Sequence, residues 1–117
     1  MKKVMLIEDD RTMCSLLRTL LLIEGVQVHS SEIGTQQSIV ESIIQFKPDT
    51  LLLDFHLKKA NGLEILKKIR KIPSLISLRI FMVSGMDLED QCVYAGADGF
   101  FLKPYNPEDL INSLCNE

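Results

Sequence analysis

Apolar residues in this chain come in two alternating patterns, short unbroken runs and stretches in which they recur every three or four positions. Val4-Met5-Leu6-Ile7 is an unbroken run that Glu8-Asp9-Asp10 ends abruptly. Met13, Leu16, Leu17, Leu20 and Leu21 then fall at helical spacing, and Glu24-Gly25 supplies a stop with glycine past the last turn. Val26 to Ser30 alternates apolar and polar, as in a strand covered less completely. Gly34-Thr35 opens a second helical stretch with Ile39, Val40, Ile43 and Ile44, which ends before Pro48. Thr50-Leu51-Leu52-Leu53-Asp54 follows, a run that reads as a strand buried on both faces and closes on a carboxylate.

The second half repeats the alternation. A loop from Phe55 to Gly62 has Asn61-Gly62 as its turn signal, and Leu63, Leu66 and Ile69 mark a third helix that Pro73 stops. Arg79 to Val83 predicts a fourth strand, with Ser84-Gly85 turning the chain out of it. Leu88 to Ala95 predicts a fourth helix, and Gly99 to Leu102 a fifth strand that Lys103-Pro104 ends. Asn106-Pro107-Glu108-Asp109 combines an N-cap, a proline at the first helical position and acids in the first turn; Leu110, Ile111 and Leu114 form the buried face of that helix.

Strands and helices in strict alternation require a parallel sheet with helices on both faces. The fold class is therefore α/β: a doubly wound, three-layer α/β/α domain whose five-stranded parallel sheet takes the flavodoxin-like order 2-1-3-4-5. Length and composition agree. With 117 residues, 46% hydrophobic, 25% charged and a net charge of −3, the chain suits one domain over residues 1–117. Weak acidity argues against direct nucleic-acid binding, and no apolar run approaches the roughly 18–20 residues that span a bilayer. Cys14, Cys92 and Cys115 lack metal-ligand spacing and read as free thiols of a cytoplasmic protein.

In this winding the carboxyl ends of the strands share one edge of the sheet, where open α/β domains place their chemistry. The first strand delivers Glu8 and Asp9, the third Asp54, the fourth Ser84 and the fifth Lys103. Acids after a strand often cap the next helix, a Ser-Gly is often a turn, and a Lys-Pro often a surface break. Their meeting at one edge carries more weight than any one of them. Carboxylates about 4 Å apart repel by about 4 kcal/mol at an effective dielectric near 20, unless a proton or cation intervenes. An oxygen-only cluster of this kind suits Mg2+, which lowers the barrier to phosphoryl transfer onto a carboxylate. Asp54 is then the nucleophile, with Lys103 and Ser84 holding phosphoryl oxygens.

The pieces Leu6-Ile7-Glu8-Asp9-Asp10, Leu53-Asp54-Phe55-His56-Leu57 with Asn61-Gly62 beyond, Val83-Ser84-Gly85, and Ala95-Gly96-Ala97-Asp98-Gly99-Phe100 leading to Lys103-Pro104 make the whole chain resemble the receiver domain of two-component response regulators, of the chemotaxis-regulator kind. The resemblance implies that Asp54 is the phosphoacceptor and that Glu8 and Asp9 hold Mg2+ with Asp54 and the His56 backbone carbonyl. It makes Ser84 and Phe100 the switch residues, Lys103 the conserved lysine, and the bond to Pro104 cis. It also implies a histidine kinase or phosphotransfer protein as donor, a downstream effector protein or domain as target, and a remodelled surface on the fourth helix, fifth strand and fifth helix.

Two departures stand out. Lys58 occupies a place where receivers commonly carry Pro, which predicts a looser loop after Asp54; Phe100 lacks the hydroxyl of the frequent Tyr. His56 and Met86 are expected to flank the path of a hydrolytic water. A Mg2+-dependent phosphatase would also use Asp54, but the general acid it needs two residues on is here His56. A flavin carrier needs a phosphate-cradling loop where Glu8-Asp9-Asp10 stands, and a receiver-like module that is never phosphorylated has no use for the intact acidic and basic set. With no effector domain after Asn116-Glu117, the expectation is a stand-alone regulator or an excised receiver, and a monomer.

Overall fold

Thr50–Asp54 forms the middle strand of a five-stranded parallel sheet in the computed structural model, which describes residues 2–31 and 34–116. Met1 and Glu117, the outermost residues of the predicted domain, lie outside the described residues. In chain order the elements are β1 (Lys3–Ile7), α1 (Arg11–Ile23), β2 (Gln27–Ser30), α2 (Gln36–Phe46), β3 (Thr50–Asp54), α3 (Gly62–Ile69), β4 (Arg79–Ser84), α4 (Glu89–Tyr94), β5 (Gly99–Leu102) and α5 (Pro107–Cys115). The strand order is β2-β1-β3-β4-β5, as the alternation predicts. β1 and β3 pair from Val4–Thr50 to Ile7–Leu53, and β3 pairs with β4 from Thr50–Arg79 to Asp54–Val83. These registers bring Glu8, Asp54 and Ser84 to neighbouring strand ends.

The two-residue period of the strands divides the core in two. Met5, Ile7, Leu51, Leu53, Ile80 and Met82 pack under α2, α3 and α4, with Ile39 and Ile43 of α2, Ile65, Leu66 and Ile69 of α3 and Cys92 of α4. Val4, Leu6, Leu52, Phe81 and Val83 face the other way, onto Leu17 and Leu21 of α1 and Leu110, Ile111 and Leu114 of α5. All five residues of β3 are buried, which accounts for its unbroken apolar run. β2 alternates as expected, with Val28 buried between exposed Gln27 and His29.

Side-chain caps set most helix starts. Asp10 Oδ1 accepts from the Met13 N–H at 3.0 Å, Thr35 Oγ1 from Ser38 at 3.2 Å and Asn106 Oδ1 from Glu108 at 2.8 Å. α2 closes on Lys47, a non-glycine residue at φ 55°, immediately before Pro48. Asn61-Gly62, read as a turn, does a different job. Asn61 Oδ1 caps α3 through the Glu64 N–H at 3.1 Å, and Gly62 is the helix's first residue. A Cβ on Gly62 would collide with the backbone carbonyl oxygen of Asp54 and lie 2.8 Å from Phe55 Cα, so glycine lets α3 start against the end of β3.

Two further features differ from the sequence expectation. A single 3-10 turn, Pro73–Leu75, follows α3 and brings Leu75 into the core. α4 is one residue shorter than predicted at each end: Leu88 and Ala95 are its cap residues, and Leu88 supplies no side-chain cap. Its neighbourhood is braced instead by Arg70, which donates to Gly96 O at 2.8 Å, Leu78 O at 2.7 Å and Asp98 Oδ2 at 2.9 Å.

Candidate functional site

The acidic run after β1 splits into three roles. Glu8 lies just past the strand and is buried, Asp9 is half-buried, and Asp10 is exposed and caps α1. The capping explanation for acids after a strand therefore holds for Asp10 alone. The Asp54 side chain, at the end of β3, is only 5% exposed, and that of Glu8 1%. Lys103 reaches both from the end of β5: its Nζ is 2.9 Å from Asp54 Oδ2 and 3.4 Å from either Glu8 oxygen. The Lys103-Pro104 bond is cis, as expected.

One ammonium thus serves two buried carboxylates. Burial pushes the Glu8 carboxyl up to about 7; the adjoining Asp54 carboxylate adds to that, while the Asp10 N–H and Lys103 pull the other way. Burial works against the charge of Lys103, yet its bond to Asp54 and the charges of Asp54 and Glu8 raise it above an ordinary lysine. Glu8 Oε1 accepts from the Asp10 N–H at 3.1 Å, whereas its Oε2 is buried without a hydrogen bond among the described residues. The pocket is short of positive charge.

The three carboxylates do not pack into one cluster, however. Among the described residues no three His, Cys, Asp or Glu side chains form a ready-made metal cage. Asp9 is turned to the loop between β3 and α3, where its Oδ2 accepts from the Lys58 N–H at 2.7 Å. That geometry still fits a hydrated Mg2+, which needs only one or two carboxylates because it keeps several waters. The carboxylate excess and the proton that Glu8 tends to retain are what a divalent cation would relieve.

The same loop holds Asp54. Its Oδ1 accepts from the His56 N–H at 3.1 Å. His56 itself is exposed, tilts against the Phe55 ring at 4.8 Å and bridges to Asn61. The looser loop expected from Lys58 is not what the structure has: the segment is pinned to Asp9, to Asp54 and, through the Gly62 N–H, to Phe55 O at 2.9 Å. A residue other than proline at 58 supplies the amide that makes one of these bonds.

Ser84 is fully buried, and its Oγ accepts from the Met86 N–H at 3.0 Å, so its lone pair steadies its own turn. Phe100 is half-buried against the core under α4, and the Met86 side chain is exposed. One residue at this end escaped the sequence reading. Tyr105 packs edge-on to Phe101 at 6.3 Å on the α1–α5 side and buries a hydroxyl without a hydrogen bond among the described residues. Its position just after Lys103-Pro104 was the available signal. A cavity of about 580 Å3 opens beside Glu8 and Asp9, bordered by Arg11, Arg18 and Lys58. A larger one, about 870 Å3, lies at the opposite sheet edge around Lys47, Asp49 and Arg79, touching none of the residues above.

Fold and site together define a flavodoxin-like domain whose carboxylate, paired with a lysine, stands at the sheet's switch point. The model of the response regulator receiver domain matches residues 4–115, and the chain belongs to that family. Its members are signalling domains of two-component systems. Among relatives, the transcriptional regulatory protein CpxR homolog of Haemophilus influenzae is 35% identical over 114 residues, covering 95% of this chain and 48% of the relative. The chemotaxis protein CheY of Thermotoga maritima is 27% identical, covering 97% of this chain and 94% of the relative. A CheY-like receiver domain protein from Methanospirillum hungatei superposes with a TM-score of 0.83 at 27% identity, covering 97% of this chain and 90% of that one. The chain spans about half the length of the transcriptional regulators it matches. No helix among the described residues is long and apolar enough to cross a membrane.

Proposed function

We propose that this domain accepts a phosphoryl group on Asp54 from a histidine kinase or phosphotransfer protein, in the presence of Mg2+, and passes the signal to an effector through its α4–β5–α5 surface. The observation that carries the reading is the single ammonium of Lys103 between two buried carboxylates, 2.9 Å from Asp54 and 3.4 Å from Glu8. That carboxylate stands at a strand end with one oxygen on Lys103 and the other on the His56 amide.

Transfer is a displacement at phosphorus. An Asp54 oxygen forms the new P–O bond while the P–N bond to the donor imidazole breaks, and the imidazole keeps the electron pair. Glu8, Asp9, Asp54 and the His56 carbonyl are the groups that would hold Mg2+, which neutralises charge on the transferring oxygens. Lys103 follows the charge from carboxylate to phosphoryl oxygen. Ser84 moves towards another of those oxygens and donates its hydroxyl proton to it, giving up the Met86 N–H that it now accepts. Phe100, half-buried over the same core as α4, fills the space that Ser84 leaves and shifts the packing of α4 and β5. His56 and Met86, both exposed, set how readily water reaches the product. The domain is then no enzyme in the ordinary sense, catalysing only its own modification, and a cytoplasmic location suits such a partner.

The test is modification by a small phosphodonor such as acetyl phosphate with Mg2+, and by beryllofluoride, followed by intact-mass measurement. One phosphoryl group per chain from the phosphodonor, absent in Asp54→Asn and when Mg2+ is chelated beforehand, is the expected result. Phosphate release over many turnovers would point to a phosphatase, and no modification under either condition to an inert module.

A further inference from the structure

The main-chain amide of Lys58 carries a consequence that neither its side chain nor the family assignment supplies. Its N–H donates to Asp9 Oδ2 at 2.7 Å, across 49 residues of sequence, and ties the turn after β1 to the loop after β3. That distance lies at the short end for an amide on a carboxylate, where the bond is charge-assisted. The donor is presented by a fixed backbone: His56 N–H is on Asp54 Oδ1, His56 bridges to Asn61, and Gly62 N–H is on Phe55 O. One loop therefore grips both the acceptor carboxylate and the acid beside it.

We propose that the Lys58 amide is a positioning group that sets the affinity of Asp9 for Mg2+, so that the residue type at 58 tunes the metal requirement of the domain. The inference rests on the reading of Asp9 as a Mg2+ ligand. An Asp side chain that must be ordered when the cation arrives binds it more weakly than one already held, and outer hydrogen bonds to ligating carboxylates typically contribute about 10–100-fold to metal affinity. Proline at 58 has no N–H and cannot make this bond. Any other residue can, so the effect belongs to the backbone. The Lys58 ammonium, on an exposed side chain bordering the same cavity as Asp9, is a separate and opposing influence, because a nearby cation disfavours Mg2+.

Calorimetric Mg2+ titration of the full chain separates these effects. Lys58→Ala keeps the amide and removes the ammonium, and should bind Mg2+ as tightly as the native chain or slightly more tightly. Lys58→Pro removes both, and should bind about tenfold more weakly than Lys58→Ala. Equal affinities of the two variants within twofold, or tighter binding by Lys58→Pro, would overturn the proposal. Amide hydrogen exchange in the native chain tests it without any variant: the Lys58 N–H should be protected, and an amide exchanging at the free rate would overturn the proposal on its own. A native chain that binds no Mg2+ at all would instead sink the metal role of Asp9, on which the inference depends, while amide protection would still read the hydrogen bond itself.

Discussion

Replacing Gly62 by alanine sets two effects against each other, and the structure decides which wins. Gly62 is the first residue of α3, where alanine improves helix propensity by at most about 1 kcal/mol. Against this, the new Cβ collides with the Asp54 carbonyl oxygen and stands 2.8 Å from Phe55 Cα and 3.0 Å from Asp54 C. All three are backbone atoms at the end of a strand with every residue buried, so no side chain can rotate away. Overpacking against so stiff a wall costs about 3 kcal/mol. The net expectation is a loss of about 2 kcal/mol or more, equivalent to a fall of about 8 °C in Tm at roughly 4 °C per kcal/mol. Urea unfolding followed by far-ultraviolet circular dichroism suits a chain without tryptophan. Gly85→Ala is the matched control: nothing lies within 4 Å of its Cβ, and its stability should hold or rise by up to about 1 kcal/mol. A Gly62→Ala variant within about 0.5 kcal/mol of the native chain would refute the close-approach argument.

Other outcomes follow from particular contacts. Arg70→Ala, which removes three hydrogen bonds from a side chain 19% exposed, should cost about 3 kcal/mol in the same urea assay, and Arg70→Lys should recover less than half because one ammonium cannot span the three acceptors. Burial, then the charges of Glu8 and Asp54, hold the Tyr105 phenol above the ordinary tyrosine range. The unfolded chain releases that proton near pH 10, so stability is undiminished below about pH 10 and falls as pH rises beyond it. In Tyr94→Phe, which leaves Tyr105 as the sole tyrosine, tyrosinate absorbance should appear together with loss of the dichroism signal; absorbance rising near pH 10 in a folded chain would contradict this. Mg2+ at 100 times its Kd should add about 2.7 kcal/mol to unfolding stability, removable by chelation, and a midpoint indifferent to Mg2+ argues against a native-state site.

The fold was legible because its signals are local. Leu51 to Leu53 must be a buried strand, Asn106-Pro107 must start a helix, and the alternation of such units leaves few ways to wind. The convergence of Glu8, Asp54, Ser84 and Lys103 followed from topology alone, since a parallel sheet puts all strand ends on one edge. What escaped reading were contacts between segments distant in sequence. Gly62 looks like a turn residue until Asp54 O is known to lie against it. Arg70 looks like one more basic residue on a solvated helix face until its three acceptors are in place. Lys58 is a related case: its departure from proline suggests only a change of loop stiffness until its amide nitrogen is found 2.7 Å from Asp9.

The divided core has a consequence for how the two faces of the domain can change. The sheet acts as a bulkhead: residues such as Ile65 and Met82 on one side share no packing set with Leu17, Leu110 or Val83 on the other. Substitutions on opposite sides should therefore combine additively, while pairs on one side should couple. Helices α1 and α5 can then be reshaped to suit one partner without disturbing α2, α3 and α4, and the reverse. Asp54 ends β3, the strand whose Leu51 and Leu53 pack into one half and whose Leu52 packs into the other.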